Sequence, residues 1–371
     1  MRLVQLLVWV LVVCGVAIVY YTVFRKARLP RQEEGACKRS EEVRTKPSKF
    51  ACARLTKVLT AQSLNKKFDE ETLMREVAAL LRCPRHEDKT RINYYRSALK
   101  RCCNASDWLI VTQENAPLGQ NIVYETQKNK KVNVTEEMFN LFPKTPPFSS
   151  KPLKSCAVVG NGDILSGSCC GREIDQNDFV IRFNVPPLLN YTDDAGRKAH
   201  IVTLNPSIVI QRFQNLNTRR KAFGDMMQSY GDALILMPAF SFTVNTEVSF
   251  KVQYTLDDFG LASKMVSFHP VYLQNLAEHW KAKGLKVHRL SSGLMLVSAA
   301  LELCDTITLY GFWPFSTDWK GRKLSYHYYD QIMPNKVVHS MPVEFLIYSQ
   351  MHIDGALQLH VGQCPEKRSH S

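Results

Sequence analysis

The sequence has no Asp-x-Asp anywhere in its 371 residues. Metal-dependent sugar transfer from a nucleotide diphosphate commonly needs such carboxylates to hold the cation on the phosphates. If this chain handles a nucleotide sugar, protein groups alone neutralise the leaving group, which suits a monophosphate better than a diphosphate. His-Glu-x-x-His is missing as well, and the cysteines show no paired Cys-x-x-Cys spacing, so the ordinary zinc signatures are absent. Glycine and proline number only 17 each and no heptad persists, which removes the collagen-like and coiled-coil classes. There are no internal repeats and no long low-complexity tracts. A single apolar run is long enough for a bilayer, so a multi-span membrane protein is excluded.

What is present builds a core. Apolar residues make up 45% of the chain and charged residues 22%, near globular averages. The net charge of +14 is unevenly placed: residues 25–101 carry 21 Lys/Arg against 10 Asp/Glu, residues 102–371 carry 26 against 24, and Arg2 supplies the rest. A nucleic-acid binder carries its positive field on the folded domain. Here the basicity belongs to the segment before it, as a solvated stalk or a stretch near a membrane surface or acidic glycans.

Leu3 to Phe24 is almost wholly apolar. At a rise of about 1.5 Å per residue it spans a bilayer core, and its length without a small-residue cleavage pattern favours a retained anchor over a cleaved signal. Orientation evidence conflicts. Arg25, Lys26, Arg28 and Arg31 follow the span, which the positive-inside rule places in the cytoplasm. Against this stand glycosylation triplets at Asn104, Asn133 and Asn190, and ten cysteines after the span that read as disulfides of an oxidising compartment. The second group of features is given precedence, and the carboxyl side is expected in the lumen. The expected organisation is a cytoplasmic end and anchor at 1–24, a luminal stem at 25–90 and a catalytic domain at 91–371.

Helical spacing of apolar residues appears over 54–82, and Asn93–Arg101 reads as a helix ending at Cys102-Cys103. From Cys156 the pattern changes. Short apolar strands are expected at Cys156–Val159, Phe179–Phe183, Ile201–Leu204, Ala233–Met237, Met265–Phe268 and Ile307–Tyr310, with helical stretches at 207–229, 271–283 and Ser291–Cys304. Strands alternating with helices predict an α/β sheet covered on both faces, with ligands beyond the carboxyl ends of the strands.

Three places could carry chemistry. Gly160-Asn161-Gly162 follows a strand, as an anion cradle or as a plain turn; Leu165 stands where the dinucleotide fingerprint needs a third glycine, which argues against an NAD enzyme. Ser291-Ser292-Gly293 precedes an apolar helix, whose exposed N–H groups suit either a serine cap or a phosphate. The third place is His327-Tyr-Tyr-Asp330 together with His339 and Glu344. A histidine there can take a proton from a sugar hydroxyl or serve a structural role, and Glu344 can orient the neighbourhood or cap the helix starting near Pro342.

At these residues the chain resembles the animal sialyltransferases, glycosyltransferase family 29, of the α-2,8 branch. The large motif resembles Cys156-Ala-Val-Val-Gly-Asn-Gly through Arg182-Phe-Asn-Val-Pro-Pro187. The small motif resembles Leu290-Ser-Ser-Gly through Cys304 and on to Tyr310-Gly-Phe-Trp-Pro-Phe315. His327–Asp330 and His339 with Glu344 match the remaining two. Tyr230-Gly-Asp-Ala and Pro238-Ala-Phe-Ser-Phe242 look most like the sixth α-2,8 type, which acts on sialylated O-glycans; the ganglioside-forming types one and five are close.

The resemblance implies a Rossmann-like, modified GT-A fold with a mostly parallel sheet, in a type II Golgi membrane protein. It implies inverting transfer from CMP-sialic acid with no metal and no other cofactor. Asn161 and Asn184 would contact the donor. Asn205, Pro206, Ser207, Ser291, Ser292 and Gly293 would line its pocket, with Trp313 nearby. His327 would bind the phosphate, and His339 would be the general base. Disulfides Cys156–Cys304 and Cys170–Cys364 are implied; Cys37, Cys52, Cys83, Cys102, Cys103 and Cys169 are left unassigned. Implied partners are sialylated glycoprotein or glycolipid acceptors and the Golgi membrane, with a homo-oligomer as an option and no nucleic acid. Two positions depart from the pattern: Phe183 replaces a usual cysteine, so one family thiol is missing, and Asp163 stands where a small residue is usual; only Asp163 bears on activity, as a carboxylate that would repel a phosphate unless turned away.

Overall fold

The structure, a computed structural model, describes residues 47–64, 69–148, 153–331 and 340–365. The expected span Leu3–Phe24, Cys37 and His339 lie outside the described residues. No helix among the described residues is long and apolar enough to cross a membrane.

The chain opens with three helices, α1 (Lys49–Ala61), α2 (Glu70–Leu80) and α3 (Lys89–Cys102), each started by a side-chain cap from Ser48, Asp69 or Asp88. A hairpin of β1 (Asn121–Val123) and β2 (Lys131–Asn133) follows. The central sheet then takes β3 (Leu153–Val159), β4 (Phe179–Arg182), β5 (Ile201–Thr203), β6 (Leu234–Met237), β7 (Lys264–Ser267), β8 (Cys304–Tyr310) and β9 (Gln358–His360). The main connecting helices are α4 (Pro206–Arg212), α5 (Thr243–Asp258), α6 (Pro270–Ala282), α7 (Ser292–Leu303) and α8 (Met341–Ile353).

All seven strands run parallel in the order β7-β6-β5-β4-β3-β8-β9. The chain lays down strands in one direction from β3 to β7, then returns to the other side of β3 with β8. The point of reversal lies between β3 and β8, where a doubly wound sheet leaves a crevice. Alternation along the strands feeds two faces: Cys156 and Val158 of β3 join one core, Ala157 and Val159 another. Helix α7 is apolar on most sides because it is buried through most of its length, from Leu294 to Leu301. The expected sheet, covered on both faces, is present.

Disulfides Cys156–Cys304 and Cys170–Cys364 are both formed; the first ties β3 to the start of β8 and the second fixes the carboxyl end to the loop after β3. Cys52–Cys83 joins α1 to the end of α2, and Cys102–Cys103 links neighbours at the end of α3. Asn133 and Asn190 are exposed, whereas Asn104 is half-buried with its amide donating to Asp107 at 2.7 Å.

Residues 49–64 and 69–90, expected as part of the stem, are packed against the body. Leu55, Leu59, Leu73 and Val77 are buried in the same core as α7 and α8. The Gln350 amide of α8 donates to the carbonyls of Leu59 and Gln62, each at 3.2 Å, and Arg85 reaches the carbonyls of Gly355 and Leu357. Each buried aliphatic chain contributes about 1.5–3 kcal/mol. The packed body therefore begins well before residue 91.

Candidate active site

A cavity of about 440 Å³ lies over the carboxyl ends of β3, β4, β5, β6 and β8. Its lining includes Asn161, Asn184, Asn205, Pro206, Ser207, Ser291, Ser292, Gly293, Trp313 and His327, residues drawn from six separate stretches of sequence. The described residues thus bring every expected donor-side position to one cleft.

The local roles differ from residue to residue. The N–H groups of Gly160 and Gly162 donate to the carbonyls of Tyr310 and Gly311, at 2.7 and 3.0 Å. These glycines serve a close crossing of two backbones: a Cβ on Gly160 would stand 2.8 Å from the Gly311 carbonyl oxygen, and one on Gly162 2.6 Å. Of the two alternatives, the turn fits and the anion cradle does not, because both glycine N–H groups are already spent on these carbonyls. The crossing instead holds out Asn161, whose amide donates to the Phe183 carbonyl at 2.8 Å while its side-chain oxygen is buried without a partner. Asn184 sits in the left-handed region at φ 59° and its N–H donates to Thr203 Oγ1 at 3.0 Å. Asn205 caps α4, accepting from the Ser207 N–H, and Pro206 occupies the first turn where a missing N–H costs nothing.

Ser291 is the cap of α7 and accepts from the Leu294 N–H at 3.1 Å. The first-turn N–H groups of Ser292 and Gly293 stand at the cleft, with the positive end of the helix behind them. Glu344 does not cap its own helix. From α8 it reaches across to α7, accepting the Ser291 N–H at 2.9 Å on Oε1 and the Ser291 hydroxyl on Oε2. It is 1% exposed, and burial raises its pKa against the opposing pull of the Ser291 hydrogen bonds.

His327 Nδ1 lies 3.0 and 3.1 Å from the two carboxylate oxygens of Asp330, which assigns the proton on that nitrogen to the pair and leaves Nε2 for a ligand. The ring stacks on Tyr329 with centroids 5.0 Å apart and planes at 9°. Asp163 is absent from the cleft lining; its carboxylate accepts from the Ser166 hydroxyl and from the Ser325 N–H at 2.8 Å. It anchors the loop that carries His327 rather than facing a phosphate. Phe183 lines the cleft edge-on to Phe312. Trp313 also lines it, yet its indole N–H donates to the Thr317 carbonyl at 2.9 Å and its ring packs against Phe315, Trp319 and Phe345.

One part of the cleft had no sequence signal. Arg289 lines it, donating through Nη2 to Glu125 at 2.9 Å and to the Ser241 hydroxyl at 2.8 Å, with its guanidinium 5.5 Å from the centre of the Phe242 ring. Glu125 belongs to the β1–β2 hairpin, and spacing cannot reveal a pair 164 residues apart.

Cys170, His360 and Cys364 form a cluster of metal-donor type among the described residues, but Cys170 and Cys364 are joined as a disulfide. The described cleft lining offers a single carboxylate, Glu344.

Residues 110–356 match the model of glycosyltransferase family 29, the sialyltransferases. The mouse alpha-2,8-sialyltransferase 8F is 41% identical over 300 residues, covering 81% of this chain and 75% of that protein. The rat alpha-2,8-sialyltransferase 8E is 43% identical over 278 residues, 75% of this chain and 74% of that one. The Bos taurus alpha-N-acetylneuraminide alpha-2,8-sialyltransferase is 44% identical over 280 residues, with 75% and 78% covered. A crystal structure of a mammalian sialyltransferase shares the fold at a TM-score of 0.52 and 21% identity, covering 76% of this chain and 98% of that one. A parallel sheet with its cleft at the point of reversal, three sequence motifs and Glu344 of the fourth meeting around that cleft, and these relatives lead to one conclusion: the chain belongs to glycosyltransferase family 29 and is a sialyltransferase.

Proposed function

We propose that the enzyme transfers sialic acid from CMP-sialic acid to the 8-hydroxyl of a terminal sialic acid on a glycoprotein O-glycan or glycolipid, with inversion and without a metal. The observation that carries this reading is the convergence of Asn161, Asn184, Ser291–Gly293 and His327 on one cleft. Departure of CMP leaves negative charge on phosphate and cationic character on the sugar. The α7 amino terminus and His327, held by Asp330, are placed to take up the phosphate charge. Their charge-stabilising role, and a described lining whose one carboxylate is spent on Ser291, favour a protein-only site. His339 is proposed as the base, a contribution of about 10²–10⁴ in rate.

Asp163, whose carboxylate would repel the donor phosphate and leave a homologue that binds without turnover, is engaged by Ser166 and Ser325 and lies outside the described cleft lining. That favours turnover over mere binding. Disulfides and exposed Asn133 and Asn190 fit a luminal domain, and the proposed setting is a Golgi membrane protein anchored by its amino-terminal span. The test is transfer by the purified luminal domain from CMP-sialic acid or UDP-sugars, onto sialylated and asialo acceptors, with and without EDTA. An α-2,8 product formed from CMP-sialic acid in EDTA is expected. Activity that vanishes on chelation, or a product built on galactose alone, overturns the reading.

A further inference from the structure

We infer that Phe242 and Asn245 form the subsite that receives the acceptor sugar: the phenyl ring is a platform for an apolar sugar face, and the Asn245 side-chain oxygen takes a hydrogen bond from a neutral group of that sugar. The inference rests on the α-2,8 reading above and extends it to the part of the cleft that the donor-side residues do not claim.

The argument starts from a polar atom left over by folding. Asn245 lines the cleft and is only 9% exposed. Its side-chain amide donates to the Pro238 carbonyl at 3.0 Å, which identifies the nitrogen end and points Oδ1 away from that carbonyl. The oxygen has no hydrogen-bond partner among the described residues. A carbonyl oxygen so largely withdrawn from water is costly to leave unpaired. A sugar hydroxyl or an acetamido N–H satisfies it. A carboxylate or an ionised phosphate brings no proton and is repelled, so the atom selects a neutral part of a sugar over its charged end.

Phe242 supplies the other half. The Asn245 N–H donates to the Phe242 carbonyl at 3.0 Å, so the two residues are held within one turn at the start of α5. Phe242 lines the same cleft and is 37% exposed, unusual for a large apolar ring in a body that buries most of its others. Sugars carry faces of C–H groups that pack on such rings, while their hydroxyls reach sideways to polar neighbours. An aromatic ring beside an unpaired amide oxygen matches that division.

The segment is set before a ligand arrives. The Pro238 carbonyl also accepts the Ser241 N–H at 3.2 Å, and the Thr246 hydroxyl donates to the Ala239 carbonyl at 2.9 Å. The N–H groups of Glu125 and Thr126 donate to the Phe240 and Ser241 carbonyls at 2.9 and 3.2 Å. Little freedom remains to be lost on binding. Position separates this pair from the expected donor groups. Asn161, Asn184, Asn205 and Trp313 follow β3, β4, β5 and β8, whereas Phe242 and Asn245 follow β6, on the far side of β5 from β3 and β8.

The test is a cycle between protein and ligand. Sialoside acceptors are prepared that keep the 8-hydroxyl and lack one neutral hydrogen-bond donor each, by replacing the 4-, 7- or 9-hydroxyl with hydrogen or by methylating the acetamido nitrogen. The wild-type enzyme is expected to lose about fivefold in kcat/KM on one of the four, and Asn245→Ala to lose about fivefold on the parent sialoside and nothing further on that analogue. The analogue concerned tells hydroxyl from acetamido recognition. The KM for CMP-sialic acid is expected to stay near wild type in both variants tested. Phe242→Leu is expected to raise the sialoside KM about fivefold, and Phe242→Tyr, which keeps the ring, to stay near wild type. If Asn245→Ala melts below the assay temperature, Asn245→Leu, which refills the space without an oxygen, enters the same cycle. Wild-type indifference to all four analogues, losses that multiply on every one, or a defect that falls on the KM for CMP-sialic acid overturns the Asn245 assignment. Equal losses in Phe242→Leu and Phe242→Tyr overturn the platform. A wild-type enzyme that sialylates galactosides and ignores sialosides refutes instead the α-2,8 reading itself.

Discussion

At the scale of single residues, the cleft depends on side chains that hold other side chains. His327 is oriented by Asp330, so His327→Ala is expected to lower kcat by about 10²–10³, the usual loss for one charge-stabilising donor. Asp330→Asn is expected to cost less, since the ring keeps its stack on Tyr329. Steady-state kinetics at saturating acceptor measure both. Glu344 offers a second check. Glu344→Ala orphans the buried Ser291 N–H and is expected to cost about 1–3 kcal/mol in denaturant unfolding. Glu344→Gln keeps an acceptor and is expected to fall nearer wild type, while a larger KM for CMP-sialic acid in the alanine variant reports the loosened α7 terminus. Sequence motifs disclosed His327, Asp330 and Glu344 because they lie close together in the chain. They could not disclose that Glu344 serves Ser291, nor that Asp163 faces Ser325, because those partnerships are made only by folding.

At the scale of elements, one carboxyl on α7 makes stability depend on pH. Burial pushes the Glu302 pKa from 4.5 to about 7, with Asp107 adding to the rise, and with the Ala105 N–H and Lys100 opposing it. The folded state thus binds this proton more tightly than the unfolded chain does. Stability from this group is full below about pH 4.5 and is lost as pH rises through 7, a difference on the order of 3 kcal/mol. Glu302→Gln, which still accepts from Ala105, is expected to melt higher than wild type at pH 8, with the gap closing toward pH 5; thermal denaturation across that range measures it. Apart from β9 (Gln358–His360), a three-residue strand with two polar side chains, the strands that build the sheet were legible as short apolar β-branched runs between turns. Helix α5 was not: Thr243–Asp258 is crowded with Val, Thr, Phe and Tyr, whose local preference is for strands, and its helical state comes from burying Val248, Val252 and Leu256. The expected helix over 207–229 is interrupted because Gln214, Asn215 and Leu216 all take positive φ, which periodicity cannot reveal.

At the scale of the whole molecule, the helices at 49–90 are part of the body. Apolar spacing announced helices there, but the basic charge around them suggested a stalk, and only their docking on α8 distinguishes the two. A chain beginning at residue 91 is expected to unfold at least several degrees below one beginning at residue 47, with loss of transfer, because the shorter chain bares the faces that Leu55, Leu59, Leu73 and Val77 cover. Calorimetry of the two purified forms decides it; equal melting would show these helices to be dispensable. The same docking has a consequence for biosynthesis. Helices α1 and α2 leave the ribosome before their partner α8, whose Gln350 is made 291 residues after Leu59. At about 5–20 residues per second, the leucines of α1 and α2 wait on the order of 15–60 s for a surface to cover them. For that interval the nascent chain displays an oily ridge near its own beginning, an address for folding helpers that the finished enzyme no longer exposes.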